Sequence, residues 1–344
     1  KKEGISMNWY LQNGEDSDVV VSSRIRLARN IEGIPFTPKC KKEDLKKVYD
    51  LMKDATLKLD YGLKFFDLKD IDTLTKQSLA EKRIISPDFA KNNKPYSAII
   101  INDDENICIT INEEDHVKIQ VYSSGREIET LMELAIEIDQ KLEEIIPYSY
   151  SKQYGYLTAC PTNIGTGLKA SVLVHLPALT MTGNIRKVLN IVNNLGMSIR
   201  GVYGENSKIE GCMYQISNTQ TLGITENDIV KNLNLITKKV QEQERVARKY
   251  LTKSTIDIED EIYRDYGILS NARKLNEEET IDLLSNIKLG VDLGIVQELN
   301  DAKVQELMLY TKPANLQNRV RKSLTLYEQE VERAKVVKEI INAQ

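Results

Sequence analysis

The chain reads as an α/β protein of the α+β kind: an antiparallel-rich central sheet flanked by helices, followed by an all-helical C-terminal domain. Three observations predict this. Short β-branched runs joined by polar turns cluster between residues 18 and 217, as in SAIIIN (97–102) and NICITIN (106–112) on either side of DDE. Segments with apolar residues at helical spacing alternate with those runs. Beyond residue 253 the strand-like runs stop and only helical patterns remain. The 344-residue length allows about two domains. We expect a flexible N-terminus over residues 1–17, an α/β domain over 18–250 and a helical domain over 251–344.

Element by element, DVVVSSRIRLARN (18–30) begins β-branched and turns basic, and residues 41–60 carry a helical stripe. The 97–112 hairpin leads into VKIQVY (117–122), whose alternation predicts a third strand, and EIETLMELAIEIDQKLEEII (127–146) predicts a helix. LKASVLVHL (168–176) and MSIRGVY (197–203) predict strands around the helix NIRKVLNIVNNLG, with Gly196 as its stop. GCMYQIS (211–217) is a further strand. Thr225 followed by Asp228 starts a long charged helix running to about Lys253. Four helices follow, over 258–270, 278–290, 302–310 and 324–342.

Charged residues make up 28% of the chain and nearly cancel, at a formal net charge of −4, which gives no overall basic character for holding nucleic acid. No apolar run approaches the ~20 residues of a membrane span, and KKEGISMNWYLQNGEDSD lacks the apolar core of a secretory signal. The four cysteines, Cys40, Cys108, Cys160 and Cys212, lie far apart without a CxxC pair and read as reduced thiols of a cytoplasmic protein.

Several stretches carry chemistry. Arg24 and Arg26 alternate along a strand, so both guanidinium groups share a face; the pair fits a solvated edge or a polyphosphate site, since planar Arg forks match phosphate oxygens. INEEDHVKIQ (111–120) sets Glu113, Glu114 and Asp115 in a row before His116 and Lys118, either an acidic surface turn or a working carboxylate cluster. IRGVYGEN (199–206) places Arg200 at a strand end and Glu205 past a Gly201–Gly204 bend, where backbone N–H groups can approach a ligand. CPTNIGTGLKAS (160–171) fixes a thiol at the head of a Gly-rich turn, and its Lys169 follows Gly167 too closely for the common G-x-x-x-x-G-K-[ST] phosphate loop. The histidines His116 and His175 form no metal-ligand spacing.

Taken in order, SSRIRLARN, INEEDH, CPTNIGTGLKAS, RGVYGE and YQISN-TQ-TLG resemble the phosphagen (ATP:guanidino) kinases, most closely their bacterial protein-arginine-kinase branch. The likeness covers nearly the whole chain, including YGILSNAR and LGVDLGI. It implies a phosphagen kinase catalytic fold over 18–250 and an ATP-dependent arginine kinase. Glu114 and Glu205 match the substrate carboxylates, with Glu114 as the base, and Cys160 matches the reactive cysteine. It further implies nucleotide contacts from Ser22, Ser23, Arg24, Ile25 and Arg26, from Arg83 and Lys118, from Lys169, Ala170, Ser171, Val172 and Leu173, and from Arg200, Gly201, Val202, Tyr203 and Gly204. Mg2+ would arrive on the ATP phosphates rather than in a protein metal site. Protein substrates with exposed arginine, a zinc-finger activator, a Clp chaperone-protease, a stress-response role and a homodimer through the helical domain are implied as well.

The chain departs from the family pattern in places. Lys118 and Lys169 stand where the pattern has Arg, which keeps charge but loses the bidentate fork. Arg83 stands where close relatives carry a nucleotide-contacting histidine. The family's phosphoarginine-sensing RDxxRA motif is here Gln329-Glu330-Val331-Glu332-Arg333-Ala334, which keeps only Arg333 and Ala334. A kinase for free guanidines, and a degenerate kinase serving as a regulatory adaptor, are the competing readings.

Overall fold

The structure is a computed structural model, and it describes residues 8–92, 94–201 and 209–343. Ten strands are present among these residues: β1 (Val20–Arg29), β2 (Lys64–Asp67), β3 (Ala98–Ile101), β4 (Ile107–Ile111), β5 (Val117–Ser124), β6 (Tyr150–Ser151), β7 (Gly155–Tyr156), β8 (Leu168–His175), β9 (Met197–Arg200) and β10 (Met213–Asn218). Eight of them form one sheet in the order β2-β3-β4-β5-β1-β8-β10-β9, antiparallel at every pairing, while β6 and β7 make a separate hairpin. The helices of this part are α1 (Lys42–Thr56), α2 (Thr73–Glu81), α3 (Pro87–Ala90), α4 (Ile128–Glu143), α5 (Pro177–Met181), α6 (Ile185–Asn194) and α7 (Glu226–Leu251). The helical part comprises α8 (Thr255–Asn271), α9 (Glu277–Asp292), α10 (Asp301–Tyr310), α11 (Pro313–Val320) and α12 (Leu326–Asn342).

Strand alternation gives the sheet two unlike faces. Ile25, Leu27, Ile119, Val121, Val172 and Ile216 turn to one side and are buried with Leu131, Ala135 and Ile138 of α4 and Leu233, Ile236 and Val240 of α7. Each such aliphatic side chain is worth about 1.5–3 kcal/mol when fully buried. The opposite face is polar along the centre of the sheet, because β1, β5, β8 and β10 present Arg, Lys, Ser and Gln at every second position. The helical part has its own core, built on Ile262, Leu284, Ile287, Leu307 and Val337.

From residue 8 onward the N-terminal segment packs against the rest of the chain. Trp9 is buried and stacks on Tyr122 at 5.4 Å between ring centroids. Arg126 binds both Glu15 and Asp16, and Arg245 pairs with Asp16 and Asp18 at 2.7 Å. One large aromatic and a run of paired carboxylates hold what a polar composition marks as a frayed tail. Among the described residues, no helix is long and apolar enough to cross a membrane.

Candidate active site

The register of the sheet assembles the basic residues. Arg26 lies opposite Gln120 of β5 on one side and Lys169 of β8 on the other; Arg24 lies between Tyr122 and Ser171. Ser171 faces Ser217, Ser217 faces Ser198, and Gln215 faces Arg200. These cross-strand rows floor a cavity of about 250 Å3 into which Arg24, Arg26, Arg83, Lys118, Lys169 and Arg200 converge, with Glu113 as the one carboxylate among its described lining residues. Gly201 also borders it. Arg26 Nε is buried with no hydrogen-bond partner, and burial, with Arg26 alongside, lowers the Arg24 guanidinium below its ordinary value against the opposing pull of Tyr122 and Glu113. Buried like charges with an unsatisfied donor are costly unless an anion joins them, and a polyphosphate supplies the matching oxygens.

Ser22 and Ser171 continue this row into a small neighbouring cleft that also holds Trp9, Tyr122 and Leu173. Leu173 and Arg83 in turn border an apolar cavity of about 140 Å3 between the sheet and the helical part, walled by Met213, Leu284 and Met308. Ile25, Ala170 and Val172 alternate onto the core face and are fully buried there. Ser23 also points that way, donating its hydroxyl to the Gly125 carbonyl at 2.7 Å. The side chains of these four residues do not reach the basic cavity. Val202, Tyr203, Gly204 and Glu205 lie outside the described residues.

The three consecutive carboxylates take three environments. Glu113 turns inward: it pairs with Lys118 at 2.9 Å and accepts from Ser86 and Thr110 at 2.8 and 2.9 Å. Burial pushes its carboxyl up, but the Lys118 charge and these hydrogen bonds outweigh it and leave the group below the usual carboxylate range. Glu114 is exposed. Asp115 is fully buried and accepts both the Asn30 amide and the Ala159 N–H at 2.7 Å. His116 completes the turn. Ile31 N–H can only donate to its Nδ1 (3.0 Å) and the Pro35 carbonyl can only accept from its Nε2 (2.8 Å), so the partners select the neutral Nε2–H tautomer.

The bond from Ala159 to Asp115 ties the acidic turn to the cysteine loop, placing Glu114 and Cys160 each one residue from the same contact. Cys160 is half-buried, with Thr162 Oγ1 3.0 Å from its sulfur. Thr221 Oγ1 donates to the carbonyls of Thr162 and Ile164, at 2.9 and 2.8 Å, and fixes the loop from below. The glycines serve this close packing. Gly165 has φ +111, and a Cβ there would meet the Thr221 carbonyl at 2.2 Å; Gly167 has φ +65, and a Cβ would meet the Ala28 carbonyl at 2.6 Å. They bring backbone against backbone. Arg29 is the other support: it pairs with the buried Asp139 at 2.6 Å, lies 3.5 Å from the Tyr156 ring centroid and donates to the Thr166 carbonyl at 3.0 Å.

Sequence reading left out Glu113, Asp115, Asn30 and Arg29 as site-forming residues. The first two stood in plain view inside the acidic run, but spacing does not say which carboxylate turns inward. Lys118 and Lys169 both line the basic cavity, and each is engaged: Lys118 by Glu113, Lys169 by the Asn218 carbonyl. The Arg333 guanidinium donates to the carbonyls of Thr311 and Leu275 at 2.7 and 2.8 Å, a structural role inside the helical core.

Residues 44–247 match the ATP:guanido phosphotransferase C-terminal catalytic domain, and residues 255–344 match the protein-arginine kinase McsB C-terminal domain. A protein-arginine kinase of Halothermothrix orenii is 43% identical over 337 residues, covering 97% of this chain and 96% of that one. Those of Clostridium novyi and Bacillus subtilis are 44% and 40% identical, each over 96% of this chain and over 97% and 92% of theirs. Among solved structures, a lombricine kinase superimposes with a TM-score of 0.60 at 25% identity, covering 68% of both chains. The duplicated taurocyamine kinase of Schistosoma mansoni gives 0.61 at 25% identity, over 72% of this chain and 36% of that one. The chain belongs to the ATP:guanido phosphotransferase family, in the branch that carries the protein-arginine kinase C-terminal domain.

Proposed function

We propose that this chain is a protein-arginine kinase that moves the γ-phosphoryl group of ATP onto arginine side chains of protein substrates. The observation that carries the reading is a cavity into which six cations converge, together with the Asp115–Ala159 bond that ties the turn of the exposed Glu114 to the loop of Cys160. A guanidinium is protonated at neutral pH and is a poor nucleophile. Glu114 takes a proton from the attacking nitrogen, Cys160 orients the flat N–H edge, and Glu205 is proposed as the second carboxylate on that edge. The new N–P bond forms as the bond to the β-phosphate oxygen breaks, and ADP leaves. Arg24, Arg26, Arg83, Lys118, Lys169 and Arg200 hold the phosphates in advance of the charge that develops on them. The adjoining cleft of Trp9, Tyr122 and Leu173 would take the ribose and base. Mg2+ carried on the ATP phosphates would spread their charge; Glu113 is the carboxylate among the described residues lining this cavity.

The finer expectations belong to the same reading: a cytoplasmic setting, which the free thiols Cys40, Cys108, Cys160 and Cys212 suit, a homodimer through the helical domain, a zinc-finger activator, and phosphoarginine as a mark for a Clp-type protease. The test is phosphotransfer from Mg-ATP, read as acid-labile phosphate, on a protein substrate and on free arginine. The expected result is labelling of the protein far above free arginine, abolished in Glu114→Ala. Preference for free arginine would make the chain a small-guanidine kinase. ATP binding with no transfer to either would make it an adaptor.

A further inference from the structure

Arg83 enters the basic cavity from a demanding backbone position. Helix α2 ends in a Schellman turn, in which Ile84 N–H donates to the Leu79 carbonyl at 3.0 Å and Arg83 N–H to that of Ala80 at 2.9 Å. Arg83 itself holds the left-handed position of the turn, φ 64°, which glycine usually fills. Its guanidinium then reaches the polar face of the sheet, donating to Ser22 Oγ at 3.2 Å. The direction of this side chain follows from the orientation of the last turn of α2.

That last turn is fastened to the helical part. Glu81, two residues before Arg83, accepts the Ala314 and Asn315 backbone N–H groups at 2.7 and 2.8 Å, and the Asn315 amide at 2.8 Å. Both carboxylate oxygens are spent on the first turn of α11, where backbone donors lack intrahelical partners and the helix dipole favours an anion. Ser78, one turn earlier in α2, donates to Asn315 Oδ1 at 2.7 Å. On the far side, the Arg333 bond to the Thr311 carbonyl fixes the residue two positions before α11 begins. A continuous set of hydrogen bonds therefore runs from α12 through α11 to the end of α2.

We propose that Glu81 is a positioning residue for ATP: by capping α11 it fixes the end of α2 and so aims Arg83 at the phosphates, which makes docking of the helical domain a condition of tight nucleotide binding. The inference rests on the ATP reading of the basic cavity. Glu81 touches no phosphate itself and acts through Arg83.

The test uses the full chain with Glu81→Gln, Asn315→Ala, Arg83→Gly and the Glu81→Gln/Arg83→Gly double variant. Asn315→Ala attacks the same contact from the helical side, so the proposal does not hang on one variant folding. Mg-ATP affinity is read from the fluorescence of Trp9, the chain's one tryptophan, which shares a cleft with Arg83. KM for ATP and kcat are read alongside. Glu81→Gln and Asn315→Ala should each weaken ATP about 3- to 10-fold, the net scale of one intramolecular hydrogen bond, with kcat at saturating ATP within about two-fold. The double variant should be no weaker than Arg83→Gly alone, because both changes act through one side chain. Multiplying effects in the double variant, or a lower melting temperature with unchanged ATP affinity in Glu81→Gln, would overturn the proposal. Unchanged affinity in Arg83→Gly would overturn it through its premise. Weak binding in Arg83→Gly beside normal binding in Glu81→Gln would overturn the coupling and leave the ATP site standing.

Discussion

Asp115 Oδ1 accepts the Ala159 N–H at 2.7 Å, and this single contact joins the acidic turn to the cysteine loop. Its consequence is kinetic. Asp115→Ala removes the tie but leaves every cation of the phosphate cavity in place. Misplacing reacting groups by about 1 Å can cost ~10²-fold, so kcat for protein substrate should fall by about that factor while Mg-ATP affinity holds. Steady-state kinetics with a parallel ATP titration checks this. A matching loss of ATP affinity would show that Asp115 supports the whole sheet face and not the Glu114–Cys160 pairing.

The Glu113–Lys118 pair predicts an acid-sensitive term in stability. The folded-state value of Glu113 lies below its ordinary 4.5, so its contribution is full above about pH 4.5 and is lost as pH falls through the lower folded value. Glu113→Gln leaves the Lys118 ammonium without its buried counter-charge and should cost about 2 kcal/mol at pH 7. The gap between wild type and Glu113→Gln, followed by denaturant unfolding from pH 7 downward, should close below about pH 4.5. A gap that stays constant with pH would mean that Glu113 acts by packing and not by charge.

Lys169 sits opposite Arg26 but sends its ammonium to the Asn218 carbonyl. An arginine there can keep one such bond and offer a second N–H edge to a phosphate. Lys169→Arg should therefore lower KM for ATP by about three- to ten-fold, the net scale of one added hydrogen bond. An unchanged or higher KM would indicate that the Asn218 contact, not the phosphate, is what this side chain is for.

Strand alternation alone makes much of this site legible in the amino-acid sequence. Arg24 and Arg26 have to share a face, and the strand that carries Lys169 has to run beside or near them for one polyanion to bind all three. What spacing does not supply is the partner of each group. Glu113, Glu114 and Asp115 are chemically near-identical in sequence, yet one is an ion-pair partner, one is exposed and one is a buried tether, because only the register of β4 and β5 decides which way each turns. The Gly-x-Gly of the cysteine loop is open to the same ambiguity: glycine signals close approach, and here the approach is to Ala28 and Thr221. Trp9 escapes a reading by composition because one aromatic in a polar tail weighs little there, although its burial fixes the tail. Glu81 gives no signal at all, since its partners lie more than 230 residues away.

The chain's two histidines predict how the fold responds to mild acid. Burial lowers His116 against the Pro35 carbonyl, which pulls it up, while the Ile31 N–H donates to its Nδ1. His175 is fully buried with Nε2 2.8 Å from Ser285 Oγ; burial, then the charges of Lys288 and Arg248, push it well below the usual imidazole range. For a base whose folded value is depressed, the unfolded chain binds the proton first. Stability is therefore full above about pH 6.5 and falls as pH drops below it. Asp292 works the other way. Burial raises it to about 6 despite Lys288 and Arg248, so below that pH the folded state takes up a proton of its own and offsets part of the loss. The decline below pH 6.5 should thus be shallower than two histidines alone would give. Urea unfolding at closely spaced pH values, on wild type and on a His116→Gln/His175→Gln pair, would show it: the slope should flatten in the double variant, and a slope that survives both changes would place the acid sensitivity elsewhere in the molecule.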